Sequence, residues 1–177
     1  MNTKNNRRKQ ASVTRIRQAF MHYLKDKELS QISVTAICAE ANINRSTFYA
    51  HYADVYELAV TLCKELEHEV THLLVLEAGW QQSAQEFLKL FQHIRDNQNL
   101  YALFFKLGYE NNNRIWYGTR DLQSMQDISH IDYHVAFFRN GFNAIVKLWL
   151  ERGCPETPEQ MCQILLTEYG GRFHAGN

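Results

Sequence analysis

Between Ser33 and Tyr52 the chain reads SVTAICAEANINRSTFYAHY. Val34, Ile37, Cys38 and Ala41 recur there at helical spacing. Asn42–Asn44 interrupt the pattern, and a much shorter segment follows with Arg45, Ser46, Thr47, Tyr49 and His51 set around Phe48 and Tyr52. A helix that short cannot hold itself in water. It can form only if Phe48 and Tyr52 pack against the helix before it, with Ile43 plugging the turn between them. Ser33 is placed to cap the first helix, and Asn44 or Ser46 the second. The arrangement suits a helix-turn-helix, in which the first helix braces the second in a DNA groove.

Charge supports a division at this point. Lys+Arg and Asp+Glu balance at 19 each, but residues 1–52 hold nine basic against three acidic side chains, and residues 53–177 hold ten against sixteen. The head is therefore +6 and the body −6. A basic head can meet phosphates from which an acidic body is repelled. Taken alone, the run Lys4, Arg7, Arg8, Lys9 reads equally well as a solubilising tail. Cys38, Cys63, Cys154 and Cys162 form no CxxC pair and sit among apolar residues, as buried thiols in a reducing compartment do. No signal-like or membrane-length apolar run occurs. A cytoplasmic protein with no membrane association is the expectation.

The rest of the chain reads as helix throughout. The only prolines are Pro155 and Pro158, and strand-like alternation is weak. The spacing predicts helices over 12–25, 33–41, 45–51, 55–76 (capped by Asp54), 83–95, 97–107, 131–151 and 158–169, with 109–128 harder to place. Thr157, Pro158 and Gln160 resemble a capping box with proline in the first turn. The fold class is all-α: a basic flexible leader over residues 1–11, a three-helix head over 12–53, and a helical bundle over 54–177. The last two helices form a hairpin, and two readings stand for its large side chains: subunit contact, or completion of the monomer's own core.

The head resembles that of the TetR/AcrR family of transcriptional regulators. Ala19–Phe20, Ile32, Thr35, Ile37, Cys38, Ala41, Ile43, Ser46, Thr47, Phe48, Tyr49, His51, Tyr52 and Leu58 carry the likeness, over residues 12–60. The segment FFRNGFNAIVKLWLERGCPETPEQMCQIL is similar to the C-terminal region of a subgroup common in Gram-positive bacteria. The resemblance implies a homodimeric, usually repressing regulator of double-stranded DNA with a palindromic operator. It also implies that the last two helices of each subunit pair, and that the body often encloses a small-molecule effector. Two positions depart from the family pattern. Asn42 replaces the usual turn glycine, and asparagine is the next best residue for a left-handed backbone. Val55 replaces a frequent lysine and removes one expected phosphate contact.

On this reading Arg45 pairs with guanine edges, with Asn44, Ser46 and Thr47 at the same end. Tyr49 and His51 contact phosphate or sugar, as does Thr35 from the bracing helix, and Lys4, Arg7, Arg8 and Lys9 add backbone or minor-groove contacts. The alternative is that these side chains simply face solvent. Phe138, Phe142, Ile145, Trp149, Met161, Ile164 and Leu165 are the candidate dimer interface. Trp80, Phe104, Tyr109, Trp116, Tyr117, Tyr133 and Phe137 are the candidates to line an effector pocket, unless they form an aromatic core with no cavity.

Two other classes compete. A helical interaction or co-activator module would use the body and little of the head. A metal-binding enzyme would use Glu65, His68, Glu69 and His72 on one helix, with His130 and His134 flanking Asp132 as a second pair. The bland reading of both sets is the polar face of a long helix, since no full Glu/His set is present. No phosphate loop, nucleophile elbow or HExxH occurs, so neither catalysis, metal nor cofactor is expected.

Overall fold

The structure, a computed structural model, describes residues 4–74, 84–109 and 130–169. The side chains of Lys4, His72, Asp132, His134 and Phe138 also lie outside the description, as do Trp80, Trp116 and Tyr117. The fold is all-α. Eight helices occur among the described residues: α1 (Lys4–Tyr23), α2 (Val34–Glu40), α3 (Arg45–Tyr49), α4 (Val55–Leu74), α5 (Ala84–Asp96), α6 (Gln98–Lys106), α7 (Ile131–Glu151) and α8 (Pro158–Tyr169). The chain divides into two compact units, Met1–Glu65 and Leu66–Asn177.

The first unit is built on Ile16, Ala19, Phe20, Ile37, Phe48, Leu58 and Ala59, all buried. α1 begins at Lys4, so most of the segment expected to be a flexible leader is helix. Arg, Lys, Gln and Ala are strong helix formers, and no glycine or proline stands between Lys4 and Ser12 to stop the helix. The unit also extends beyond the expected boundary after residue 53. The first turns of α4 bury Leu58, Ala59, Leu62 and Cys63, and Arg17 Nη2 on α1 donates to Glu65 Oε1 at 2.6 Å. Asp54 caps α4 by accepting from Glu57 N at 2.7 Å. Burial pushes the Cys63 thiol up to about 12, which leaves it an inert packing group.

The turn between α2 and α3 is a Schellman closure. Asn42 N donates to Ala39 O (3.2 Å) and Ile43 N to Cys38 O (3.0 Å). Asn42 stands in the left-handed region at φ 50°. Ser33 caps α2 by accepting from Ala36 N at 3.1 Å. Asn44 occupies the cap position of α3 but makes no side-chain cap bond.

In the second unit α5 packs most extensively on α8, and α6 on α7. Phe91 is the hub, stacked on Phe142 with centroids 5.7 Å apart and edge-on to Trp149 at 5.7 Å. The α7–α8 turn repeats the Schellman closure, with Gly153 N donating to Leu150 O and Cys154 N to Trp149 O. Thr157 and Gln160 form the reciprocal box: Thr157 N donates to Gln160 Oε1 (2.8 Å) and Gln160 N to Thr157 Oγ1 (3.3 Å). Trp149 Nε1 donates to Glu156 O at 3.2 Å, which ties the turn to α7.

A β-carbon in the left-handed conformation costs about 1–2 kcal/mol for alanine, whereas glycine bears none of that cost. Asparagine carries a β-carbon as well but tolerates this region better than alanine, so Asn42→Ala should lower stability by a fraction of that, about 0.5–1 kcal/mol in urea unfolding, and Asn42→Gly should leave it unchanged or raised.

Candidate nucleic-acid interface

α3 has five residues, and Phe48 anchors it with no exposed surface. Tyr52, just beyond the helix, is also buried, and its ring lies 5.8 Å from that of Phe48. With those two inward, Asn44, Arg45, Ser46 and Tyr49 are exposed together, and Thr47 and His51 are half-buried. Thr35 is exposed in the first turn of α2. The sequence-predicted set is thus held on the small helix pair, with Thr47 more enclosed than the others.

Arg45 and Tyr49 form a unit. Arg45 Nη2 donates to Tyr49 Oη at 3.2 Å, and the guanidinium carbon lies 5.8 Å from the ring centroid. The hydrogen bond raises the Arg45 pKa further, so its charge is permanent. One face therefore offers a planar cationic fork supported by a phenol, a pairing that suits base edges or phosphate oxygens.

The basic residues of α1 divide by role. Arg7, Arg8 and Lys9 are exposed. Arg15 Nη1 donates to Asn42 O at 3.4 Å, in the turn before α3. Arg17 is bound to Glu65 and, through Nε, to Tyr52 Oη at 3.4 Å. Sequence reasoning gave Arg15 and Arg17 no role. Their apolar partners at helical spacing, Ile16, Ala19 and Phe20, are the signal that could have shown them flanking the buried stripe of α1.

For Phe142, Trp149, Met161 and Leu165 two readings stand, subunit contact or completion of the monomer's own core, and all four are buried within the second unit. They pack on the α5 side of the hairpin, as the Phe91 stack requires. Ile145 is half-buried, and Ile164 is exposed. Tyr133 and Phe137 were expected in a pocket but stand 77% and 60% exposed. Leu148 is exposed as well. On α7, residues 133, 137 and 148 share one face by spacing, opposite Phe142, Val146 and Trp149. Of the expected pocket residues, Phe104 lines a cavity of about 20 Å³, and Tyr109 packs on Phe104 at 5.6 Å rather than lining it. That volume holds about one water.

Two candidates of the metal-site alternative have other partners. Glu65 is paired with Arg17, and Glu69 Oε2 with His93 Nε2 at 3.4 Å. Among the described residues no group of three or more His, Cys, Asp or Glu converges to hold a metal. Nor, among them, is any helix long and apolar enough to cross a membrane.

A helix-turn-helix head on an all-helical body defines a helical transcription regulator. Residues 81–167 match a family model described as a transcriptional regulator C-terminal region, of the TetR type. A TetR transcriptional regulator from Streptococcus agalactiae 2603V has 26% identity and a TM-score of 0.65, over 93% of this chain and 96% of that one. A candidate transcriptional regulator from Pseudomonas aeruginosa PAO1 has 21% identity and a TM-score of 0.65, over 98% and 93%. The dihydroxyacetone kinase operon activator DhaS has 20% identity and a TM-score of 0.64, over 91% and 95%. No curated protein matches the chain. The chain is thus similar to TetR-type transcriptional regulators over residues 81–167 and in its whole fold, and these likenesses are to regulators rather than to enzymes.

Burial, and then the charge of Lys9, lower the His51 pKa from its ordinary 6.5. The folded head thus resists protonating a group that the unfolded chain protonates readily, so stability is lost as pH falls below about 6.5. Urea unfolding compared at about pH 7.5 and 5.5 should show that loss, with His51→Gln reducing it.

Proposed function

We propose that this regulator binds double-stranded DNA sequence-specifically through α3, as a homodimer on a palindromic operator. One observation carries the reading: Asn44, Arg45, Ser46 and Tyr49 are exposed together on a helix whose other side is fixed by Phe48. Arg45 reads guanine edges in the major groove, and Asn44, Ser46 and Thr47 take adjacent base or phosphate positions. Tyr49, His51 and Thr35 meet the backbone, and Lys4, Arg7, Arg8 and Lys9 extend the phosphate contacts along α1. Two-fold symmetry of the dimer is mirrored in two half-sites. An operator overlapping a promoter then gives repression by occlusion, relieved by a small-molecule effector bound in the body.

The dimer surface is the outer face of the α7–α8 hairpin. Tyr133, Phe137, Leu148 and Ile164 are its exposed large apolar side chains. Such a face needs a partner to leave water, and a second copy supplies the self-complementary surface that two-fold symmetry requires. Activation is the second reading, favoured by the shared fold with DhaS, which is named an operon activator. A promoter–reporter assay with and without the regulator gene gives the sign directly.

Selection of bound duplexes from a random pool should return an inverted repeat. On that duplex, Arg45→Ala should weaken binding by about tenfold or more in a mobility-shift assay, as loss of a bidentate base contact does. Loss of Tyr49 should reduce affinity through Arg45 as well. Binding by Arg45→Ala equal to that of the native protein would sink the assignment. Leu148→Glu should turn the dimer into a monomer in sedimentation velocity while preserving helicity, because residue 148 lies outside the core. A dimer that persists in Leu148→Glu, Phe137→Glu and the double variant would exclude this face.

A further inference from the structure

Phe48 fixes the rotation of α3, but one buried side chain leaves the direction of so short a helix open. A second anchor sets it. Tyr52 follows Phe48 by four residues, is 6% exposed, and holds its ring 5.8 Å from that of Phe48. Its phenol is the polar tip of an otherwise apolar wedge, and a buried hydroxyl needs a partner. Arg17 on α1 supplies one: Nε donates to Tyr52 Oη at 3.4 Å. The same guanidinium donates through Nη2 to Glu65 Oε1 on α4 at 2.6 Å. All three residues lie within the first unit. One planar fork thus ties together α1, the exit of α3 and α4.

Stability is a small part of what this tie does. The Arg17 and Glu65 side chains are 33% and 43% exposed, and an ion pair that open to water adds little. A guanidinium adds direction, because its donors lie in one rigid plane. A lysine ammonium in its place answers Glu65 but brings no rigid second arm to Tyr52. Nor is Arg17 placed as a phosphate contact. Residues two apart lie about 200° around a helix, so Arg17 stands on the opposite side of α1 from the exposed Arg15. Its charge is matched by a carboxylate.

We propose that Arg17 is a positioning residue for sequence reading: through Tyr52 it sets the tilt of α3, and with it the aim of Asn44 and Arg45 at base edges. This rests on the DNA-binding reading above. Base contacts form only when the side chains are held to within about 0.5 Å and 10–20° of the productive geometry. Phosphate contacts are sequence-independent charge attraction and tolerate a shifting helix. Without the tie, Phe48 keeps α3 folded but its far end swings. The protein then holds DNA as before and loses part of its preference among sequences.

The test compares full-length Tyr52→Phe, Arg17→Lys and Arg17→Gln with the native chain, on the selected inverted repeat and on a scrambled duplex of equal length. Tyr52→Phe removes only the hydroxyl, Arg17→Lys keeps the charge opposite Glu65, and Arg17→Gln removes it. Each should bind the repeat about three- to tenfold more weakly, the range one hydrogen bond supplies. Affinity for the scrambled duplex, and the slope of log affinity against log salt, should stay at the native values. Tyr52→Phe with Arg17→Lys should lose no more than either alone, because both remove the same bond. A merely structural role would lower thermal stability and leave the ratio between the two duplexes unchanged. A phosphate contact would weaken both duplexes alike and lower the salt slope of Arg17→Gln by about one. Either of those results, additive losses, or full specificity in every variant overturns the proposal. Without DNA, hydrogen exchange at the Ala50 and Tyr52 amides, which donate to Ser46 O and Phe48 O, should quicken about three- to tenfold in Tyr52→Phe, with Ile43 N unchanged. Quickened exchange in a protein whose native form shows no sequence preference sinks the DNA-binding reading and leaves the tie standing. A native preference that survives in the variants, with exchange unchanged, sinks the tie alone.

Discussion

The burial of Phe48 is the constraint on which the head depends. A five-residue helix has almost no internal hydrogen bonding of its own, so α3 exists only where its anchor fits the core. Fixing that side chain also fixes the helix rotation. Arg45 and Tyr49 lie outward because Phe48 lies inward, and the face offered to a partner is a consequence of packing. The Asn42–Ile43 closure then sets where α3 begins.

Local chemistry made much of this legible in the sequence. Ser33, Asp54 and the Thr157–Gln160 pair act on backbone groups two or three residues away, and each makes the bond its position predicts. Asn42 and Gly153 close two turns of the same type, which a left-handed preference at the right spacing reveals. The start of α1 was missed because nothing breaks the helix before Ser12, and a polar run reads as a tail when it has no apolar stripe to count. The unit boundary within α4 was missed because a continuous helix gives no compositional sign of which part packs with which core.

The faces of α7 show a deeper limit. Phe142, Val146 and Trp149 line one side, and Tyr133, Phe137 and Leu148 the other. Both stripes are large and apolar, so hydrophobic periodicity finds the helix but cannot rank its sides. The inward side is decided by Phe91 on α5, more than forty residues earlier in the chain, a non-local fact with no local sequence trace. The burial of Asn143, which is 6% exposed, was invisible for the same reason, since an asparagine between apolar neighbours reads as a solvent-facing residue until its helix is packed.

Charge in the head is likewise a matter of placement. Of nine cations, Arg17 is committed to Glu65 and Arg15 reaches the carbonyl of Asn42. Arg17 is thereby neutralised by a carboxylate, whereas Arg15 stays exposed and cationic beside the turn before α3. Arg7, Arg8 and Lys9 remain exposed on α1, and Lys9 lies near enough to His51 to lower its pKa. The cationic end of α1 and the far end of α3 therefore share one electrostatic neighbourhood. An approaching phosphate would be drawn to Lys9 and would favour the protonated form of His51, reversing at the interface the bias that burial imposes in the free head.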